Sequence, residues 1–247
     1  MKEPFTFSGI FQHFRHIFFQ EFMVLVILFC VIGGIWAFIE IADEVAEGET
    51  RTFDQTILET FRGVGPEGET RGPEWLAKSM RDITALGGIT VLTFVTTVTA
   101  LFLFLKNKFR SMTLILVATV GGVSLGTGLK YFFARERPDE SLRLVLIDSF
   151  SFPSGHAMMS AIVYLTLAAM LARIQSDRRT RSFIIIVGFI LTFAVGVSRI
   201  YLGVHYPTDV LGGWSMGIAW ASIWWLLSWF LQRRGAMETS DQGREYS

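Results

Sequence analysis

Polar stretches interrupt an otherwise apolar chain, and three of them hold the residues able to do chemistry. The last reads SRIYLGVHYPTD, Ser198 to Asp209, between the apolar runs 184–197 and 210–231. It gathers a cation, an imidazole and a carboxylate in one turn-sized segment. His205 and Asp209 are four residues apart, and Pro207 suits the first position of a helix. On such a helix the Asp209 carboxylate reaches back to one imidazole nitrogen, fixes the tautomer and leaves the other nitrogen free. Arg199 adds an always-charged planar fork that matches phosphate oxygens. The middle stretch, SFPSGH, places His156 behind Ser154 and Gly155 where the next apolar run begins. A helix starting there offers free N–H groups and positive partial charge, and Gly155 lets the backbone come close to an anion. The first stretch, KYFFARERP, supplies Lys130 and Arg137.

Two histidines beside three cations suit a two-step phosphoryl transfer. His205, oriented by Asp209, attacks phosphorus and forms a phosphohistidine. His156 protonates the leaving alkoxide, then serves as base for the water that releases phosphate. Lys130, Arg137, Arg199 and the N–H groups of the two helices beginning near Gly155 and Pro207 stabilise charge on the equatorial oxygens. The sequence shows no carboxylate cluster and no Cys/His spacing for a metal, so neither metal nor other cofactor is expected.

The chain of 247 residues that holds these groups is 51% hydrophobic with mean hydropathy +0.45. Apolar runs at 22–41, 83–105, 112–133, 157–173, 183–200 and 208–231 approach or exceed the roughly 18 to 20 residues that cross a hydrocarbon core. The expected fold is therefore all-α, a polytopic membrane protein with six transmembrane helices. The expected domains are an interfacial segment at 1–21, a six-helix domain at 22–233 and a polar, disordered tail at 234–247. The first run is too long and too late for a signal peptide. The 42–81 connection is expected to carry short interfacial helices, one with Phe53, Ile57, Leu58 and Phe61 at helical spacing and another with Trp75 and Leu76. Its carboxylates read as a solvated face, and Asp82 as a helix cap or a neighbour of the site. Gly122-xxx-Gly126 reads as a packing signal between helices. The zero net charge gives no nucleic-acid footprint, and the lone Cys30 forms no internal disulfide.

Lys and Arg mark sidedness. The 106–110 link holds three, the 173–181 link four, and Arg233 and Arg234 follow the last run. With six spans, all of these fall on the cytoplasmic side. Lys130, Arg137, His156, Arg199, His205 and Asp209 then share the opposite face, where so many ionisable groups are costly without a role.

Lys130…Arg137-Pro138, Pro153-Ser154-Gly155-His156 and Ser198-Arg199…His205…Asp209 resemble the K-x6-RP, PSGH and SR-x5-H-x3-D signatures of the type-2 phosphatidic acid phosphatase superfamily, with order and spacing intact. The resemblance, with the six spans, covers about residues 20–231. It implies His205, His156 and Asp209 as catalytic residues and Lys130, Arg137, Ser154, Gly155 and Arg199 as the phosphate-binding set. It also implies a membrane lipid phosphatase, with phosphatidic acid, phosphatidylglycerol phosphate and undecaprenyl pyrophosphate as candidate substrates. A lipid phosphotransferase would use the same residues. A non-catalytic anion or lipid transporter would place its charges nearer mid-bilayer, and a vanadate-dependent haloperoxidase would be soluble. The absence of glycosylation sequons and the small size lean towards a bacterial plasma membrane, with the site on the outer side. The apolar connection 141–152 is expected either to line a path for lipid or to pack against the 53–61 helix.

Overall fold

The structure is a computed structural model. It describes residues 7–61, 73–139, 143–145 and 149–234, with 7–20 described in their backbone alone. Among the described residues every regular element is helical. The order is α1 (Phe7–Glu47), α2 (Arg51–Phe61), α3 (Glu74–Ala85), α4 (Ile89–Leu105), α5 (Phe109–Phe133), α6 (Gly155–Ser160), a π turn (Ala161–Leu165), α7 (Thr166–Arg173), α8 (Arg178–Tyr201) and α9 (Pro207–Arg233). The helix α6, the π turn and α7 form one span, Gly155–Arg173.

Among the described residues five helices are long and apolar enough to cross a bilayer, and α3 with α4 supplies a sixth crossing if the pair is one span. Only helices and closed barrels satisfy every backbone group in hydrocarbon, so long apolar runs without alternation form helices here. Phe29, Phe94, Phe132 and Phe193 are largely exposed on the outside of the bundle, where lipid tails would cover them. This is an integral membrane protein built as the hydropathy pattern requires.

The expected second span, 83–105, is not straight. It breaks between Ala85 and Ile89 with a 42° bend. At the break a Cβ on Gly87 would collide with Val195 Cγ1, so the bare backbone is what lets α8 come so close. Asp82 is exposed within α3 and caps nothing there.

Helix α9 is the axis of the bundle. It runs along α1 on one side and the α6–π segment on the other. A Cβ on Gly213 would meet Ser154 O at 2.7 Å, and one on Gly217 would meet Met158 O at 2.7 Å. This Gly-xxx-Gly pair brings two backbones together without lipid between them, and the sequence reading passed over it. The pair that reading singled out also packs: Gly122 lies under Ile162 and Gly126 under Met158. Near the end of the bundle that holds Lys130 and His205, buried Phe152 stacks on Phe38 at 5.6 Å and meets Phe133 edge-on at 5.0 Å. Part of the 141–152 connection is thus core. Leu144 and Phe61 of α2 both pack against a second buried cluster, Tyr201, Leu202 and Val204. Leu142, Leu146 and Ile147 lie outside the described residues, as does the tail from 235.

Helix α2 buries the expected stripe at Leu58, with Ile57 and Phe61 half-buried, but Asp54 joins it and Phe53 does not. Asp54 and Leu58 are its buried residues, at 0% and 1% exposure, whereas Phe53 is half-exposed.

Candidate active site

The end of α5, the start of α6, the end of α8 and the start of α9 meet at one end of the bundle. Ser111, Arg173 and Ser228 come together at the other. Lys130 on the last turn of α5 donates to Phe150 O at 2.9 Å. Its Nζ lies 3.9 Å from where a Cβ on Gly155 would stand, so the ammonium sits over the α6 N-terminus. Ser154, just before that helix, is fully buried, and its Oγ has no hydrogen-bond partner. His156 follows within the first turn, beside Gly87 at the α3–α4 break.

Arg137 lies in the connection after α5. Its Nε donates to Ser149 O at 2.6 Å and its other nitrogens to Ser149 Oγ and the Phe150 and Val204 carbonyls. Burial pulls its pKa down to about 10, so it remains a cation at neutral pH. Arg199, near the C-terminus of α8, is 3% exposed. One of its amino groups donates to Thr84 Oγ1 at 3.0 Å, while its Nε is buried without a partner. Buried polar atoms are nearly always satisfied, so unpartnered Ser154 Oγ and Arg199 Nε point to a ligand rich in acceptor oxygens.

His205 is 1% exposed, in the short connection between α8 and α9. Its Nδ1 faces Asp209 Oδ2 at 3.3 Å and its Nε2 faces Arg137 Nη1 at 3.2 Å. A guanidinium only donates, so Nε2 must present its lone pair and the proton belongs on Nδ1, towards Asp209. Burial, then Arg137, Arg199, Lys130 and His156, hold the pKa of His205 well below the ordinary histidine range. The ring is therefore neutral at physiological pH.

All eight residues expected at the site thus lie at this end of the bundle. One expected feature differs. The N-terminus of α9 does not offer its free N–H groups to a ligand. Asp209 Oδ2 accepts from Tyr206 N at 2.9 Å, and Asp54 Oδ1 accepts from Thr208 N at 3.0 Å. Carboxylates of the chain itself complement the positive helix end.

Asp54 and Arg135 are the residues that sequence reasoning missed. Arg135 donates to Asp209 Oδ1 at 2.6 Å and to Asp54 Oδ2 at 2.7 Å. Burial works against its charge, but Asp209 and Asp54 outweigh that and raise its pKa above the usual guanidinium value. One signal was available. Asp54, Leu58 and Phe61 fall at i, i+4 and i+7, so a carboxylate stands on the apolar stripe of α2.

Two cavities flank the site. An open one of about 640 Å³ is lined by Lys130, Arg135, Arg137, Arg143, Glu136 and Asp139, among others. A mainly apolar groove of about 190 Å³ runs past Leu92, Val123, Met158 and Met159 to Lys130 and His156. Among the described residues no group of three or more His, Cys, Asp or Glu side chains is placed to hold a metal.

Residues 111–233 match the family described as the PAP2 superfamily. Phosphatidylglycerophosphatase B of Bacillus subtilis is 36% identical over 146 residues, which is 58% of this chain and 71% of that protein. An undecaprenyl-diphosphatase of Sulfolobus acidocaldarius is 31% identical over 130 residues, 51% of this chain and 58% of its own length. In structure, the chain resembles the transmembrane PAP2-type phosphatidylglycerolphosphate phosphatase of Bacillus subtilis. The TM-score is 0.75 at 29% identity, covering 83% of this chain and 98% of the other. It resembles LpxE of Aquifex aeolicus more distantly, with TM-score 0.52 and 27% identity over 72% of this chain and 95% of the other.

Proposed function

The chain belongs to the PAP2 superfamily, whose similar members are lipid phosphatases, and from that premise we propose that it hydrolyses a lipid phosphate through a phosphohistidine on His205, without a metal. The observation that carries this reading is the two-sided hold on His205: Asp209 at Nδ1 and a cation at Nε2.

His205 Nε2 donates its lone pair to phosphorus and a P–N bond forms as the bond to the lipid oxygen breaks. The imidazolium so created keeps its Nδ1 proton against Asp209. His156 gives its proton to the departing lipid oxygen. In the second step His156 takes a proton from water, the hydroxide adds to phosphorus, the P–N bond breaks, and neutral His205 and inorganic phosphate result. Lys130, Arg137 and Arg199, with Ser154 Oγ and the N–H groups opening the Gly155–Arg173 helix, hold the three non-bridging oxygens. Such fixed charges are worth most where water is excluded.

The lipid reaches the site sideways. Its phosphate lies under Lys130 and beside His156, and a chain lies in the apolar groove bordered by Leu92, Val123 and Met158. Phosphatidylglycerol phosphate is the first substrate to test, given the similar phosphatidylglycerophosphatase, with undecaprenyl diphosphate and phosphatidic acid next. The decisive experiment uses purified protein in detergent with each lipid labelled with ³²P at its terminal phosphate. Phosphate release should be accompanied by an acid-labile, alkali-stable label on the protein after rapid quench. Label that never appears, or that persists in His205→Ala, would remove the covalent step.

A further inference from the structure

We propose that Asp54 and Arg135 are positioning residues for the nucleophile, forming with Asp209 a continuous relay that starts on α2 and ends at His205. The inference rests on the reading of His205 as nucleophile.

The relay runs through short contacts. His205 Nδ1 meets Asp209 Oδ2, Asp209 Oδ1 accepts from Arg135 Nη1 at 2.6 Å, and Arg135 Nη2 donates to Asp54 Oδ2 at 2.7 Å. Thr208 Oγ1 sits between, accepting from Arg135 at 2.9 Å and donating to Asp54 at 2.7 Å. Thr50 Oγ1 takes a further Arg135 contact at 3.2 Å. The guanidinium lies over the Tyr206 ring, 4.4 Å from its centre. Asp54 and Asp209 are fully buried, and the Arg135 side chain is 14% exposed.

Arg135 therefore differs from Lys130, Arg137 and Arg199 in being held by two carboxylates. Both of its amino nitrogens are committed to carboxylates and hydroxyls of the chain. Arg199, by contrast, keeps an unpartnered buried Nε. Arg135 nevertheless borders the same open cavity as Lys130 and Arg137. A guanidinium beside that cavity, held by Asp209 alone, would be free to turn towards a bound phosphate. Asp54 prevents this by holding the second half of the fork. Asp209 then stays fixed through Oδ1, and its Oδ2 stays aimed at His205. Fixing one partner of a hydrogen-bonded group through another is how distant residues act on a reacting atom.

A purely structural role, as a staple between α2 and α9, would use the same bonds, so the test must separate the two. Asp54→Asn in the full chain should lower kcat about 10- to 100-fold with KM within about twofold of wild type. In an Asp209→Asn background, assayed by single turnover with labelled lipid, Asp54→Asn should cause no further loss, because its effect passes through Asp209. Thr50→Val removes one neutral contact to Arg135 and guards against a folding failure. It should lower kcat a few-fold, and that loss should likewise vanish beside Asp209→Asn. An unchanged kcat in both variants, or equal losses with and without Asp209→Asn, overturns the relay. His205→Ala is measured alongside. If it is inactive while Asp54→Asn is normal, the relay alone falls; if His205→Ala is active, the phosphohistidine reading falls and the relay with it.

Discussion

Arg137 and His205 face each other at 3.2 Å across the site, the guanidinium towards Nε2, the nitrogen proposed as nucleophile. A donor-only group in that position selects one tautomer. On the proposed mechanism it would also mark the place of a phosphate oxygen. The same arginine is anchored by Ser149 and by the carbonyls of Phe150 and Val204, so it can release the imidazole without leaving the site.

His205→Ala is accordingly expected to abolish turnover, whereas Asp209→Asn leaves a trace, since Asp209 orients and stabilises the ring without bonding phosphorus. Arg137→Lys should retain charge but lose the planar fork, with kcat/KM down by about two orders of magnitude, the scale of one lost charge-stabilising donor. Steady-state phosphate release checks all three. Near-normal turnover in His205→Ala would leave the histidine pair without a nucleophile.

Activity should survive EDTA and be blocked by vanadate. Lys130, Arg137 and Arg199 already supply the positive charge that a metal would bring, in a form suited to a trigonal-bipyramidal oxyanion. Assays with chelator, then with added magnesium, decide the matter. Loss with EDTA and recovery with magnesium would contradict the proposal.

The charge state of His205 should be readable in stability. Its folded pKa lies well below the unfolded histidine value of about 6.5. Between those values the unfolded chain binds a proton that the folded chain does not. The contribution to stability is therefore complete above about pH 6.5 and is lost as pH falls through and below that value. Arg137, Arg199, Lys130 and His156 disfavour the imidazolium, and Asp209 faces it from α9. The apparent melting temperature in detergent should fall between pH 7.5 and 5.5, and the fall should be smaller in His205→Asn. Parallel curves for the two proteins would show that His205 titrates normally in the fold.

The site should face away from the cytoplasm, because Lys106, Lys108, Arg110, Arg178 and Arg179 flank the other end. Val145 and Ser176 are both exposed and belong to opposite ends. With Cys30 replaced by Ser, Val145→Cys should react with an impermeant maleimide on intact cells and Ser176→Cys only after lysis. The reverse pattern would put the chemistry on the inner leaflet.

A water-soluble phosphate monoester should be a poor substrate. Chain burial in the groove gains little for a lipid already in a bilayer, so the advantage comes from delivery to the site at the correct depth. In mixed micelles at fixed surface concentration, kcat/KM for long-chain lipid phosphates should exceed that for the soluble ester by at least about tenfold, or roughly 1.4 kcal/mol. Equal values would argue against sideways access.

The motif residues were legible because each is an ionisable or small residue breaking an apolar run at fixed spacing, and because membrane helices make such breaks costly. The spans were legible for the same reason, though not the bend in the second, and α2 was legible from its apolar period. Asp54 was not assigned to the site. Its partner Arg135 is 81 positions away and lies inside the variable part of a motif, where spacing says nothing about contact. The occupied N-terminus of α9 was hidden likewise, since only the packing of α2 brings a second carboxylate to it. The break at Gly87 looked like an ordinary glycine in a spanning helix, a common occurrence. What gives it meaning is Val195, a contact that periodicity cannot reveal.

That break has a mechanical consequence. Helix α4 has 17 residues, about 26 Å at 1.5 Å per residue, against a hydrocarbon thickness of about 30 Å. Taken as a span by itself, α4 would stop short of the headgroup plane at the end where Gly87 approaches His156, and the adjoining leaflet would dip to meet it. A lipid beside α4 would sink its phosphate towards His156 by following its neighbours down, with no need to climb out of the membrane. Catalysis would then be tuned by the host bilayer: vesicles of shorter-chain lipids, which match the dip, should support faster turnover than thick ones at equal substrate density.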